Sequence, residues 1–228
     1  MNATDKTAYV LAVPLSHAGR ERALEMNTQM TAVSGGILAR LKADTATEHR
    51  AIESMLDLTG SWLTRPAYCR LIEAWLGYQR PVERRLKAIG GWADHGLDLA
   101  ARSRAPLLEM DLRALEAAER RPCAECEKLP RLETRADGFG CLYVLEGSTL
   151  GGQIISRHLE QSLGITRDSG GLFFRGYGEE TGLRWREFGA ALTAFAADQG
   201  RHDEIVTAAT ATFQTLREWL RSQSMTAE

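Results

Sequence analysis

A chain of 228 residues, 44% of them hydrophobic, is long enough for one globular domain with a substantial core and too short for two. Its 28 Lys and Arg stand against 30 Asp and Glu, for a net charge of −2 and a pI near 6.2. No Lys/Arg-rich stretch is available to neutralise phosphates, so a nucleic-acid partner is excluded and a small-molecule ligand fits better.

At the N-terminus the apolar run from Tyr9 to Leu15 is preceded by Asp5 and Lys6 and followed at once by His17, Arg20, Glu21 and Arg22. That is poor as a signal peptide and too short to span a bilayer. Residues 1–34 are read as a mobile extension with a short helix near 21–30, residues 35–223 as the domain and 224–228 as a tail. No other stretch approaches the ~20 apolar residues of a membrane helix. Cys69, Cys123, Cys126 and Cys141 are too few and too scattered for a disulfide framework, which suggests a reducing cytoplasm.

From Ile37 onward the apolar residues recur at helical spacing and alternating β-branched runs are scarce, so an all-α fold is expected. Helices are predicted over 37–56, 66–89, 103–120, 132–163, 181–198 and 201–222. Gly90, Gly91, Pro122 and Pro130 punctuate the first half, and the glycine-rich interval 164–182 reads as one long loop. Pro81 is expected to kink its helix.

On the first helix Leu38, Leu41, Thr45, His49, Ile52 and Leu56 follow steps of three and four, which places His49 on the inward stripe and predicts its burial. A histidine there is by default a satisfied core residue. Lys42, seven residues earlier, lies about 20° short of two turns and ~10 Å along the axis. A flat acidic ligand bound to His49 would therefore reach Lys42 with its carboxylate edge, and heme has that shape and charge.

The run from Gly138 to Ile155 has helical period yet holds five glycines, each costing about 1 kcal/mol relative to alanine. Two explanations stand side by side. Gly147 and Gly151 share a face and permit close helix packing, or the backbone lies directly against a large flat ligand and bends to do so.

The segment from Leu41 to Glu53 resembles the proximal-helix motif of heme oxygenases in the placing of its Lys, Thr, His and Glu. Tyr143 to Gln153 is similar to the distal helix of that family, in the bacterial form Glu-Gly-Ser-x-Leu-Gly at Glu146 to Gly151. Gly171 to Gly178 and Thr181 to Arg186 look like the heme oxygenases found with bacterial phytochromes. The resemblance covers residues 37–220. It implies an all-α fold with heme between the proximal helix and a glycine-kinked distal helix.

By that resemblance His49 ligates the iron, Glu53 orients its imidazole, and Gly147, Ser148 and Gly151 form the catalytic distal side. Lys42, Thr45, Tyr143, Gly152, Arg184, Arg186 and Phe213 hold the heme. Heme is then both cofactor and substrate, opened with O2 and external electrons to biliverdin, carbon monoxide and ferrous iron. The implied partners are a ferredoxin or flavoprotein reductase and a phytochrome that receives biliverdin.

Ser148 stands where animal-type enzymes carry an aspartate that anchors distal water. A hydroxyl holds water but is a poor proton reservoir. For Arg184 and Arg186 the alternative is a solvated helix face, and for Phe213, in line with Leu216 and Leu220, plain core.

Cys123 and Cys126 form a lone CxxC with no second pair to complete a zinc site. His158 is expected beyond the ligand, and His17, His95 and His202 to be solvated. Two other functions compete: a heme carrier or sensor without turnover, and a di-iron protein or thiamin-degrading hydrolase on a similar helical frame. The chain has no Glu-x-x-His pair, which counts against di-iron.

Overall fold

The computed structural model describes residues 36–60, 62–115 and 123–224, and among these it contains helices and turns and no strand. The expected extension and its short helix, and all but the first residue of the expected tail, lie outside the described residues.

Helix α1 spans Ile37–Leu56 and buries Ile37, Leu41, Thr45, Ile52 and Leu56 along one stripe. Thr45 keeps its hydroxyl on the Leu41 carbonyl at 2.7 Å, so a polar side chain sits in the core without an open donor. Helix α2, Arg65–Ile89, starts on the side-chain cap of Thr64, with Pro66 in its first turn. It runs through Pro81 without interruption. The Gly77 carbonyl, which Pro81 has no N–H to meet, instead accepts from Cys126 N–H at 2.9 Å. Gly77 has no Cβ, and this lets the segment carrying the CxxC pair dock there; a Cβ would lie 2.2 Å from the Ala124 carbonyl. Both cysteines are free thiols.

Helix α3 spans Ala105–Ala114, the described part of the helix expected over 103–120. The long helix expected over 132–163 is two: α4, Arg135–Gly147, and α5, Gly152–Leu163, separated by a turn over residues 148–151. A capping box between Thr134 and Asp137 opens α4. Every residue of α4 from Ala136 to Glu146 is buried, which makes it the central helix.

The interval expected as a loop holds the short helix α6, Leu172–Arg175, and 3-10 turns at Arg167–Ser169 and Gly178–Glu180. Elements of three or four residues leave no periodic signal to read. Helices α7, Thr181–Gln199, and α8, His202–Ser222, complete the described chain. Helix α8 packs along α4 and α1, α2 carries α3, and α7 lies against α1 and α4. No helix among the described residues is long and apolar enough to cross a membrane.

Candidate functional site

Between α1 and the break after α4 lies a narrow cavity walled by His49, Ile52, Glu53 and Leu56 from α1 and by Phe213 and Leu216 from α8. Facing them are Tyr143, Gly147, Ser148 and Gly151, and the rest of the wall is Trp75, Arg104, Val144, Leu145, Phe173 and Phe174. Most of this lining is apolar, with one imidazole on one side and glycine backbone on the other. A wider groove on the far side of Arg104 is lined by Arg80, Glu83, Arg84, Lys87, Arg102 and Glu109 among others and offers no imidazole. Arg80 and Arg84 are already held there by Glu109 and Glu125, at 2.8 and 2.6 Å. By the chemistry of its lining the first cavity suits an apolar planar ligand and the second does not, and at about 60 Å³ the first has to widen to take a large one.

His49 departs from its expected burial. Its side chain keeps 29% of its surface exposed, because this part of the α1 stripe faces the cavity instead of a neighbouring helix. Its Nδ1 lies 3.4 Å from Glu53 Oε2, one turn on. Phe213 meets the ring edge-on at 5.7 Å between centroids. The other Glu53 oxygen, Oε1, is buried without a hydrogen-bond partner among the described residues.

The five glycines divide between the two explanations open for them. A Cβ at Gly138 would lie 2.5 Å from the Trp92 ring, one at Gly140 2.3 Å from the Ile205 carbonyl of α8, and one at Gly152 1.9 Å from the Phe174 carbonyl. These three glycines serve close packing. At Gly147 the nearest atoms belong to Trp185 at 3.7 Å, ordinary contact, and Gly147 and Gly151 line the cavity. Gly152, expected against the ligand, is turned instead toward the backbone of α6.

Ser148 is not isolated. Its hydroxyl donates to the Leu145 carbonyl at 2.7 Å and accepts from Arg104 Nη1 at 3.1 Å. Arg104 is itself buried at 4% exposure, donates through Nη2 to the Phe173 carbonyl at 2.7 Å, and lays its guanidinium 4.0 Å over the Phe173 ring. Its Nε has no hydrogen-bond partner among the described residues. Burial pulls the Arg104 pKa down, opposed by Tyr177, Glu146 and Glu83.

Behind it Glu146 accepts from Arg102 at 2.8 Å and from the Tyr177 hydroxyl at 3.0 Å. Burial pushes the Glu146 carboxyl up, against the pull of Arg102, Tyr177 and Arg104.

Tyr143 and Phe213 reach the cavity as expected. Lys42, Thr45, Arg184 and Arg186 do not line it. Thr45 is turned into the core. Arg184 lies by Glu180 and Glu187, at 3.3 and 3.8 Å, and 5.9 Å from the Tyr177 ring. Arg186 is exposed. His95, expected in solvent, packs edge-on against Phe139 and Phe195 at 5.6 and 5.3 Å, with Nε2 buried.

Sequence reasoning missed Arg104, Trp75 and the cavity-facing part of Phe173 and Phe174. The Phe-Phe pair between glycines was the available signal, since two large aromatics in a turn-rich stretch must bury somewhere. Nothing in the sequence marks Arg104.

Comparison with known proteins gives a consistent result. The model of the heme oxygenase family, described as heme oxygenase, matches residues 36–222. Among solved structures the chain is similar to the NO- and CO-bound heme oxygenase from Neisseria meningitidis, with a TM-score of 0.72 and 21% identity. The match covers 85% of this chain and 94% of that one, and at this identity it speaks to the fold. No curated protein matches.

Proposed function

Because the chain belongs to the heme oxygenase family, we propose that it opens heme to biliverdin, carbon monoxide and ferrous iron in the cavity between α1 and the break after α4. The observation that carries this reading is His49 on one wall with Gly147, Ser148 and Gly151 on the other. The donor set fits heme: a single imidazole, apolar and aromatic walls, and glycine at 147 where a side chain would have room to project but none is present. When bound, heme supplies both the iron that activates O2 and the ring that is cleaved.

His49 is assigned as the iron ligand. Glu53 beside Nδ1 holds the tautomer in which Nε2 is the ligating nitrogen and makes the imidazole a stronger donor. Tyr143 and Phe213 line the cavity and would hold the ligand, while Lys42, Arg184 and Arg186, which do not line it, are assigned to its propionates on the family resemblance alone. Gly147 and Gly151 keep strongly polar side chains away from the distal face.

Ser148 donates its proton to the Leu145 carbonyl and accepts from Arg104, so toward the cavity it has only a lone pair to offer. That lone pair would accept from a water on the cavity side. Arg104, permanently charged, polarises that hydroxyl in place of the missing aspartate. Protons then reach the distal side from water ordered at Ser148 Oγ.

Electrons come from an external reductant, a ferredoxin or a flavoprotein reductase, in the cytoplasm. Delivery of the product to a phytochrome is supported by the likeness of residues 171–186 to the enzymes of that branch. The test is aerobic turnover of added heme with ascorbate or a ferredoxin-type reductant and an iron chelator, followed by chromatography of the pigment. Biliverdin is expected. Intact heme at the end of the reaction would overturn the enzyme reading in favour of a heme carrier.

A further inference from the structure

His49 stands on a helix whose rotation has to be set from outside it. Glu53, one turn on, belongs to the same helix and turns with it, so that contact orients the ring on α1 and not α1 in the fold. The side chains that α1 buries are Ile37, Leu41, Thr45, Ile52 and Leu56, and the one polar member, Thr45, is bonded back to its own helix. Apolar burial holds α1 on α8, but it is non-directional and marks a particular rotation about the axis only weakly.

The residue next to the histidine makes a directed contact. Glu48 reaches across to α8, where its Oε1 accepts from Gln214 Nε2 at 3.1 Å and its Oε2 lies 2.8 Å from Arg217 Nη1. The second contact is an ion pair and not an aligned hydrogen bond, since Oε2 has no hydrogen-bond partner among the described residues. The Glu48 and Arg217 side chains keep 18% and 26% of their surface, so water screens them less than it screens an open pair. Two groups one turn apart on α8 thus grip one carboxylate of α1.

The grip lies directly behind the cavity. Gln214 follows Phe213 and Arg217 follows Leu216, and both of those apolar side chains line the cavity with His49. Successive residues of a helix point about 100° apart. Each helix therefore turns one residue to the cavity and the next to its neighbour.

A second ion pair joins the same helices near their N-terminal ends, Arg40 with Asp203 at 2.6 Å. There the side chains are 44% and 87% exposed, and Arg40 is shared with Asp44 of its own helix at 3.2 Å. An open pair of this kind contributes little.

We propose that Glu48, gripped by Arg217 and Gln214, is a positioning residue for the imidazole beside it: the clamp sets the rotation of α1 on α8 and so aims His49 across the cavity at Gly147 and Gly151. A polar pair set among apolar contacts is a means of fixing helix register. Without the clamp α1 stays packed but turns more freely, and the ring leaves its edge-on place 5.7 Å from Phe213. The value of this for heme chemistry rests on the assignment of His49 as iron ligand made above.

The clamp is tested first without heme. In the heme-free full-length protein, cross-relaxation between the ring protons of His49 and Phe213 is measured by nuclear magnetic resonance. The wild type is compared with Glu48→Gln, Arg217→Gln, Arg40→Gln and the exchanged double variant Glu48→Arg/Arg217→Glu. The signal is expected to weaken in Glu48→Gln and Arg217→Gln while circular dichroism holds. The exchanged pair should recover it, because the Gln214 amide carries both a donor and an acceptor and serves either charge. Arg40→Gln should leave it unchanged.

On addition of heme the dissociation constant is expected to rise about two- to fivefold in the first two variants, the worth of one partly buried ion pair, and to return in the exchanged one. An unchanged His49 to Phe213 signal in Glu48→Gln overturns the proposal even where the unfolding midpoint falls, since the pair then serves stability alone. An equal loss in Arg40→Gln overturns it too, since any tether between the helices would then do. If Glu48→Gln does not fold, Arg217→Gln carries the same comparison. A wild type whose heme shows no histidine-ligated spectrum overturns the iron-ligand reading, while the heme-free signals still decide the clamp.

Discussion

The two walls of the cavity are built in different ways. On one side a single regular helix, α1, carries His49 and Glu53 one turn apart, and residues four apart meet by geometry alone. On the other side Gly147, Ser148, Arg104 and Phe173 come from α4, the turn after it, the start of α3 and α6, and they meet only through tertiary contacts. A ligating group can be supplied locally, whereas an environment that controls what happens opposite it has to be assembled. The first wall should fail by loss of one atom, the second by loss of fit.

The largest effect is expected from His49→Ala, which should abolish the histidine-ligated heme spectrum and turnover while circular dichroism stays unchanged. An unaltered spectrum would place the ligand elsewhere and end the comparison. Glu53→Gln should act through the same helix but less severely. A loss of about 10- to 100-fold in activity or heme affinity is expected, the usual cost of removing a partner that orients a metal-bound histidine. Steady-state kinetics and heme titration measure it.

The distal side is probed by a pair. Gly152→Ala drives a methyl into the Phe174 carbonyl and should destabilise the fold by about 1–3 kcal/mol in thermal or urea unfolding. Gly147→Ala meets nothing closer than Trp185 at 3.7 Å, so its stability should hold while heme affinity falls. Equal stability losses in both variants would mean that the two glycines serve one purpose. The smallest change is expected from Ser148→Ala, about 1 kcal/mol or less of stability. Its mark should be a slowed turnover whose pH dependence shifts, read against unchanged heme binding.

The same contrast explains what was legible beforehand. The all-α fold and the span of α1 follow from an apolar stripe that repeats over 20 residues, and α2, α7 and α8 begin and end within one residue of expectation. The break after α4 was not visible as a break, because glycines weaken a helix without saying which of them ends it. Three of the five turned out to be packing positions that depend on Trp92, Ile205 and Phe174, residues far away in sequence. His49 was placed on the correct face but given the wrong exposure, since periodicity reports which way a side chain points and not whether another helix stands there. Arg104 had no local signature at all. A buried arginine is defined by its partners, and Ser148 and Phe173 lie 44 and 69 residues away.

The burial of α4 on all sides has a consequence for how the molecule is made. Its principal neighbour is α8, whose first residue follows the end of α4 by more than 50 positions. During synthesis the central helix leaves the ribosome well before the surface that covers it, an apolar rod without its cover. Phe213 and Leu216, which close the cavity beside His49, arrive with that same late helix. A nascent chain interrupted before α8 would own its histidine and its glycines and still have no pocket, so the ability to hold ligand doubles as a report that the chain has been finished.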